Sequence, residues 1–390
     1  MSGLAELDRA ELKAALKEAG ADGWLLYDFH GVNPVMRRMV GSGGLATRRL
    51  FVWLPADGPF VAVVHKIELQ PLTSFPGDVR PYAAWQELHQ ALGAIVKGRT
   101  VAMEVSTDDA VPYLDRVPAG VVELVSRLGG KVRTSAPLVT RFAARWTPSE
   151  LADHRIAAEQ LAEIAQGTIR EVVREIGVRE SAVQRRVMER MTAAGLVATH
   201  GPIVGFGPNA ANPHYEPVEG KDRALEANQV VLLDLFGGRS RQTVFADQTW
   251  MGFAGREVPA DVAEVWRTVR DARDAAVQEL ARRWKAREPV TGAMLDQAAR
   301  DVIAGKGYGE WFVHRTGHSI DQELHGSGPH LDSYETNDDR LLMAGVGFSV
   351  EPGVYLTGRF GVRSEINVVL HADGPEVTPR VPQRDLILPG

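Results

Sequence analysis

Residues 310–334 read E-W-F-V-H-R-T-G-H-S-I-D-Q-E-L-H-G-S-G-P-H-L-D-S-Y, with His314, His318 and His325 at intervals of four and seven residues. Four carboxylates lie elsewhere in the chain, each inside or beside an apolar run. They are Asp234 in V-V-L-L-D-L-F, Asp247 in F-A-D-Q-T, Glu351 in S-V-E-P-G and Glu365 in R-S-E-I-N. An acid in an apolar strand is costly to bury unless it is paired or binds a cation. Asp247 follows Asp234 by 13 residues, on the expected partner strand of a hairpin. Paired strands can project both acids to one face, where they repel unless a cation lies between them. Taken alone, Asp234 also reads as a strand-end acid facing a loop or an arginine, and His325 as a loop histidine. Together, four acids and an imidazole suit a pair of hard or borderline divalent metals.

Composition narrows the class. The 390 residues are 44% hydrophobic and 24% charged, ordinary for a globular protein of two domains or one large one. A net charge of −6 suggests neither a nucleic-acid footprint nor a membrane-surface patch. With no cysteine there is no disulfide, thiolate zinc site or cysteine nucleophile, which fits a cytoplasmic protein. The start, M-S-G-L-A-E-L-D-R-A-E-L-K, is charged and helical rather than a signal peptide, and no apolar run has the ~20 residues of a membrane span.

Along the chain, residues 4–19 carry leucines at helical spacing and end at Gly20. Gly23–Phe29 reads as a buried strand, and Leu50–Pro55 and Pro59–Val64 as a hairpin. Ala84–Val96 reads as a helix, Thr100–Val105 as a strand and Val121–Leu128 as a further short element. This mixed unit, residues 1–146, has no cluster of ligands or nucleophiles and is expected to be structural or oligomerising.

T-P-S-E at 147–150 is a capping box that opens a second domain, residues 147–390, with a helix ending at Gly177. A second helix is expected over 180–194, then a Gly/Asn/Pro loop at 205–214. Val230–Phe236 and Val244–Trp250 should form a hairpin, residues 259–287 and Thr291–Gly305 helices, and Phe312–His314, Gly347–Glu351 and Val362–Leu370 strands. The fold class is α+β in two domains.

The order Asp, Asp, His, Glu, Glu, with G-H-S-I, S-V-E-P-G-V-Y and R-S-E, resembles the pita-bread metallopeptidases: prolidases, aminopeptidases P and methionine aminopeptidases. The likeness covers about residues 147–380, and the preceding unit resembles the N-terminal domain of prolidase, aminopeptidase P and creatinase. The resemblance implies that Asp234 chelates one metal, that Asp247 and Glu365 bridge two, and that His318 and Glu351 bind the other. It implies that His214, His314 and His325 surround the substrate as non-ligand histidines. It also places Arg363 at the family's arginine before the last glutamate. Two metals sharing a water make it nucleophilic near neutral pH, with Glu351 as proton shuttle and His325 stabilising the oxyanion or holding the proline side. Arg363 is a candidate for binding a product carboxylate, or else an orienting partner of an acid ligand. Arg340 is a second carboxylate candidate.

The chain departs from the family pattern in three ways. The gap between the two aspartates is longer, Trp250 stands where D-x-T-R has its arginine, and the tyrosine often found between the aspartates is missing. These put the tuning around the metals, and so substrate preference, in question.

The N-terminal unit argues against a methionine aminopeptidase, and a complete ligand set argues against creatinase. The favoured expectation is cleavage of Xaa-Pro dipeptides, as by prolidase, with aminopeptidase P acting on longer peptides as the alternative. A non-catalytic scaffold, or an amidinohydrolase active under chelation, would be readings of another class. Manganese is the expected metal, with zinc and cobalt compatible. The expected partner is a small peptide with proline after the scissile bond, and the expected assembly a homodimer through the N-terminal domains.

Overall fold

The computed structural model describes residues 3–41 and 46–390. Of the stretch read as a charged N-terminal helix, Met1 and Ser2 lie outside those residues. The chain divides into two compact units, Met1–Ala143 and Ala144–Gly390.

The first unit is built on strands β1 (Gly23–Asp28), β2 (Leu50–Pro55), β3 (Phe60–His65), β4 (Gly77–Tyr82), β5 (Thr100–Met103) and β6 (Lys131–Thr134). They form one mixed sheet in the order β4-β3-β2-β1-β5-β6. Helices α1 (Arg9–Ala19), α2 (Pro34–Val40), α3 (Trp85–Val96), α4 (Ala119–Arg127) and the single turn α5 (Ala136–Leu138) complete it. Cover on both faces explains why β1 is buried throughout. Trp24 and Leu26 pack with α1 and α2, while Leu25 and Tyr27 pack with α3 and α4. Asp8 caps α1, and Gly20, with φ 63°, ends it in the left-handed region that glycine adopts freely.

The second unit opens with α6 (Pro148–Val172). Thr147 Oγ1 accepts from the Glu150 amide, and the Glu150 carboxylate accepts from the Thr147 amide at 2.8 Å. The helix ends at Val172 rather than Gly177. Residues 173–177 turn instead, and Gly177, at φ 94°, donates to Leu225 O. After α7 (Glu180–Ala193) come β7 (Ile203–Phe206), β8 (Val230–Gly237) and β9 (Ala246–Phe253), an antiparallel three-stranded sheet in that order.

One face of this sheet is made by Val231, Leu233, Leu235, Ala246 and Trp250, packed against α6 and α7. On the other, Val230, Leu232, Met251 and Phe253 join a larger core with α8 (Ala260–Ala286) and α9 (Gly292–Gly305). The remaining strands are β10 (Ser319–Ile320), β11 (Gly347–Val350), β12 (Gly353–Leu356), β13 (Phe360–Arg363), β14 (Ile366–His371) and β15 (Gly374–Thr378). They form the sheet β10-β11-β14-β15 and the ribbon β12-β13.

Two expectations are corrected. Phe312–His314 is not a strand: it follows a 3₁₀ turn at Gly309–Trp311 and finds no ladder partner. Val362–Leu370 is not one strand either. The chain leaves the ribbon at Arg363 and enters the larger sheet at Ile366, so Ser364 and Glu365 occupy the crossing. Among the described residues no helix is long and apolar enough to cross a membrane.

Candidate metal centre and active site

The β8–β9 register decides where the two aspartates stand. Asp234 pairs with Thr249, and Phe236 with Asp247. Residues two apart on a strand share a face. Asp234, Asp247 and Thr249 therefore lie on the face that carries Val230, Leu232 and Met251, as a polar continuation of an apolar row. Asn367 fixes the Asp247 backbone from β14, accepting from its amide at 3.0 Å and donating to its carbonyl at 2.7 Å.

The histidine-bearing segment is held by buried acids that accept from its own backbone. Asp296 on α9 takes Thr316 N and Oγ1 and Ser333 N and Oγ. Asp321 takes Glu323 N and Ser327 N, and Asp332 takes the amides of Tyr334, Glu335 and Thr336. Gly317 lets this segment lie against β11, because a Cβ there would sit 2.0 Å from Ser349 O. Ser349 N donates to His318 O at 2.9 Å, His318 N donates to Ser349 Oγ at 3.0 Å, and Glu351 N donates to Thr316 O at 2.7 Å.

These supports bring ligand atoms of Asp247, His318 and Glu365 within 4.8 Å of one another. His318 Nε2 is 3.5 Å from Asp247 Oδ2 and 3.4 Å from Glu351 Oε1. Its Nδ1 faces Ser319 O at 3.1 Å, so Nδ1 carries a proton and Nε2 is the ring atom turned toward the acids. Arg363 bonds Asp234 Oδ2, which joins that acid to the group.

The electrostatics call for a cation. Burial first, with Asp247 and Glu351 adding and Arg363 opposing, pushes Asp234 up to about 7. Burial also raises Asp247, against its hydrogen bond to His318. Burial and the charges of Asp247, Glu351 and Asp234 raise Glu365 well above its usual range. Burial pushes Glu351 up too, but His318, His314 and Arg363 outweigh it and hold that carboxyl below its ordinary value. Asp234 Oδ1, Asp247 Oδ1 and Glu365 Oε1 are buried with no hydrogen-bond partner. Carboxylate oxygens left so, around an imidazole nitrogen, fit divalent cations, which would supply both charge and ligation.

Arg363 organises the group. It is 2% exposed and bonds Asp234 Oδ2, Thr249 Oγ1 at 2.9 Å, Pro213 O at 3.1 Å and the Tyr355 hydroxyl at 3.2 Å. Thr249 passes a bond on to Glu365 Oε2 at 2.8 Å. Tyr355 Oη lies 2.8 Å from His314 Nε2, and His314 Nδ1 lies 2.7 Å from Arg315 O. His314 thus holds its Nδ1 proton, with both ring nitrogens engaged. Burial, outweighing the pull of Glu351, lowers its basicity.

His325 lies next to His318, with ring centroids 4.2 Å apart, and remains exposed at the rim. Crowding by the protein, then the charges of His318 and Arg315, hold it below its ordinary range. His214 is exposed in the loop after β7, where Asn212 caps its amide. That loop is secured by Glu180, which accepts from Phe206 N, Asn209, Tyr215 and Arg223 N.

Arg340 stands differently from the expectation of a carboxylate binder. It is clamped by Asp338 and by the carbonyls of Ser327 and Gly328, within its own loop. Trp250 also lies on the face opposite Asp234 and Asp247. It points to the α6 side of the sheet and donates to Gln248 at 2.9 Å. Thr249, Tyr355, Ser349 and Asn367 were not singled out from sequence. Their only signal was position, within or beside D-Q-T, S-V-E-P-G-V-Y and R-S-E-I-N.

With this geometry in view, comparison with known proteins is direct. Residues 153–372 match Metallopeptidase family M24. The chain belongs to this family. It is 29% identical over 357 residues to the probable dipeptidase PepE of Mycobacterium bovis, covering 90% of this chain and 89% of that one. It is 35% identical over 231 residues to the Xaa-Pro dipeptidase of Lactobacillus delbrueckii subsp. lactis, 58% of each. The crystal structure of dipeptidase PepE from Mycobacterium ulcerans superposes with TM-score 0.76 at 26% identity, covering 97% of this chain and 96% of that one. The M24 protein is a two-domain metallopeptidase, with the pita-bread domain in its C-terminal part.

Proposed function

We propose that this M24 protein hydrolyses Xaa-Pro dipeptides with two divalent ions, manganese first among them. One observation carries the reading. Three partnerless buried carboxylate oxygens converge with a histidine nitrogen whose tautomer is already set. Asp234, Asp247, His318, Glu351 and Glu365 would hold the ions. When bound, they polarise the scissile carbonyl and acidify a water.

The chain's own residues supply the rest. Glu351 stays ionised beside His318, and Ser349 Oγ donates to its Oε1 at 3.1 Å. It takes the proton from the attacking water and returns it to the departing proline nitrogen. His325, kept neutral, can donate a ring N–H to the developing oxyanion. His214 and His325 line the place of the proline ring. His314 and Arg363 act as positioning residues, because their polar atoms are occupied by Tyr355, Arg315, Asp234 and Thr249.

The dipeptide is preferred over longer peptides on the names of the relatives, a probable dipeptidase and an Xaa-Pro dipeptidase. Aminopeptidase P activity is the runner-up, since the arginines expected to clamp a terminal carboxylate are engaged elsewhere. Hydrolysis of Ala-Pro against Ala-Pro-Ala, with manganese supplied, tests the choice. Cleavage of Ala-Pro is expected. Cleavage of Ala-Pro-Ala alone would establish the runner-up, and undiminished turnover after chelation would exclude a metallopeptidase mechanism. A homodimer through the N-terminal unit belongs to the same reading, and a monomer in sedimentation would remove it.

A further inference from the structure

On the acid-bearing face of β8, the residue after Asp234 is Phe236. Val230 and Leu232, earlier on that face, are buried in the larger core. Phe236 belongs to no core cluster among the described residues and is half-buried. Its cross-strand partner is Asp247. Ile203 on β7, also half-buried, is paired with Asp234 and shares its face. The exposed ring of His200 lies 6.4 Å from that of Phe236, centroid to centroid, tilted by 57°. Asp234 is thus bordered by apolar surface along its strand and across it. The other borders of the site are polar: His318 and His325, and the Arg363–Tyr355–His314 chain.

A half-exposed phenylalanine against two metal-binding aspartates contributes little to the core. Its uncovered apolar surface lies on the side of the sheet that carries Asp234 and Asp247. We infer that Phe236, with Ile203 and His200 beside it, forms the wall that receives the side chain of the residue before the scissile bond. The enzyme then selects dipeptides with a large apolar first residue. This rests on the dipeptidase reading above and adds a specificity-determining residue to it. Apolar contact is worth roughly 10–200-fold in kcat/KM per small increment of side chain. An acidic first residue would gain no apolar contact on this side and would set its charge against the apolar wall.

The test uses the full chain loaded with manganese and compares kcat/KM for Leu-Pro, Gly-Pro and Asp-Pro. Leu-Pro should exceed Gly-Pro by about tenfold or more, and Asp-Pro should be poorest. In Phe236→Ser the Leu-Pro to Gly-Pro ratio should collapse severalfold, mainly through a higher KM for Leu-Pro. Metal content and thermal unfolding certify the variant. A wild type indifferent to the first residue, or a Phe236→Ser that keeps the preference, overturns the wall and leaves the dipeptidase reading standing. If Phe236→Ser does not retain metal, the exposed His200→Ala takes its place, and an unchanged ratio there overturns the inference. If no dipeptide is cleaved at all, the reading beneath falls and the wall with it.

Discussion

Arg363 joins three parts of the site: Asp234 directly, Glu365 through Thr249 and His314 through Tyr355. A planar five-donor group can do this and an ammonium cannot. Arg363→Lys should therefore lower metal affinity or turnover by about 10–100-fold, the usual cost of losing a partner behind a ligand. Calorimetric metal titration together with a separate kcat and KM checks it. A pure rise in KM would instead indicate an arginine that binds the substrate carboxylate. At the ligands the expectation is harsher. Asp247→Ala and Glu365→Ala each remove an acid from the shared group and should bring activity to background. Near-normal turnover in either, with metal content verified, contradicts two cooperating ions. The buried acids of the group were legible from sequence because a carboxylate inside an apolar run has few other uses. The engagement of Arg363 and Arg340 was not, because the partners that occupy a guanidinium are fixed by tertiary contact. Asp234 lies 129 positions from Arg363, while the Ser327 and Gly328 carbonyls reach Arg340 from across its own loop.

Elements set the site by parity and by close approach. Two-residue periodicity makes β8 and β9 carry acids on one face and Trp250 on the other, which explains why an unusual residue at position 250 leaves the buried acids untouched. Sequence placed Trp250 next to the aspartate, and only the register showed it on the opposite face. The division of Val362–Leu370 was hidden for a related reason. The run V-R-S-E-I-N-V-V-L contains neither glycine nor proline, and nothing local marks the point where the chain changes sheets. Gly317 is the element-scale test. Gly317→Ala puts a methyl 2.0 Å from Ser349 O, a backbone atom that cannot rotate away. Overpacking of this kind costs about 1–3 kcal/mol. The expected result is a lower unfolding temperature together with weaker metal binding, since His318 is the next residue. Wild-type metal affinity in a destabilised Gly317→Ala would separate the loop from the ligand.

Across the whole molecule, each unit carries its own pH dependence. In the first unit Glu104 is 0% exposed and bonded by Trp24 Nε1 at 2.6 Å, Ser135 Oγ at 3.0 Å and Asn33 at 3.2 Å. Burial, against those three bonds, pushes it up to about 7 from 4.5. A folded acid with a raised value binds more protons than the unfolded chain. Its contribution is therefore full below 4.5 and is lost as pH rises toward 7. Glu104→Gln should flatten that loss, which unfolding curves between pH 5 and pH 8 would show. In the second unit the raised acids make the metal-free protein weaker as pH rises, whereas metal binding needs those acids ionised. Added manganese should therefore raise the unfolding temperature more at pH 8 than at pH 5.5. The capping box at Thr147 marked the start of α6 in the sequence, but these titrations needed the burial and the partners that only the fold supplies.

The claim on which the rest depends is that two ions act together in one buried group of acids. The most direct measurement is metal stoichiometry by elemental analysis, taken stepwise while chelated protein is reloaded with manganese and assayed on Ala-Pro. Two ions per chain, with full activity reached only as the second binds and no activity at zero, is the expected result. Full activity at one ion, or activity that persists with none, would contradict it.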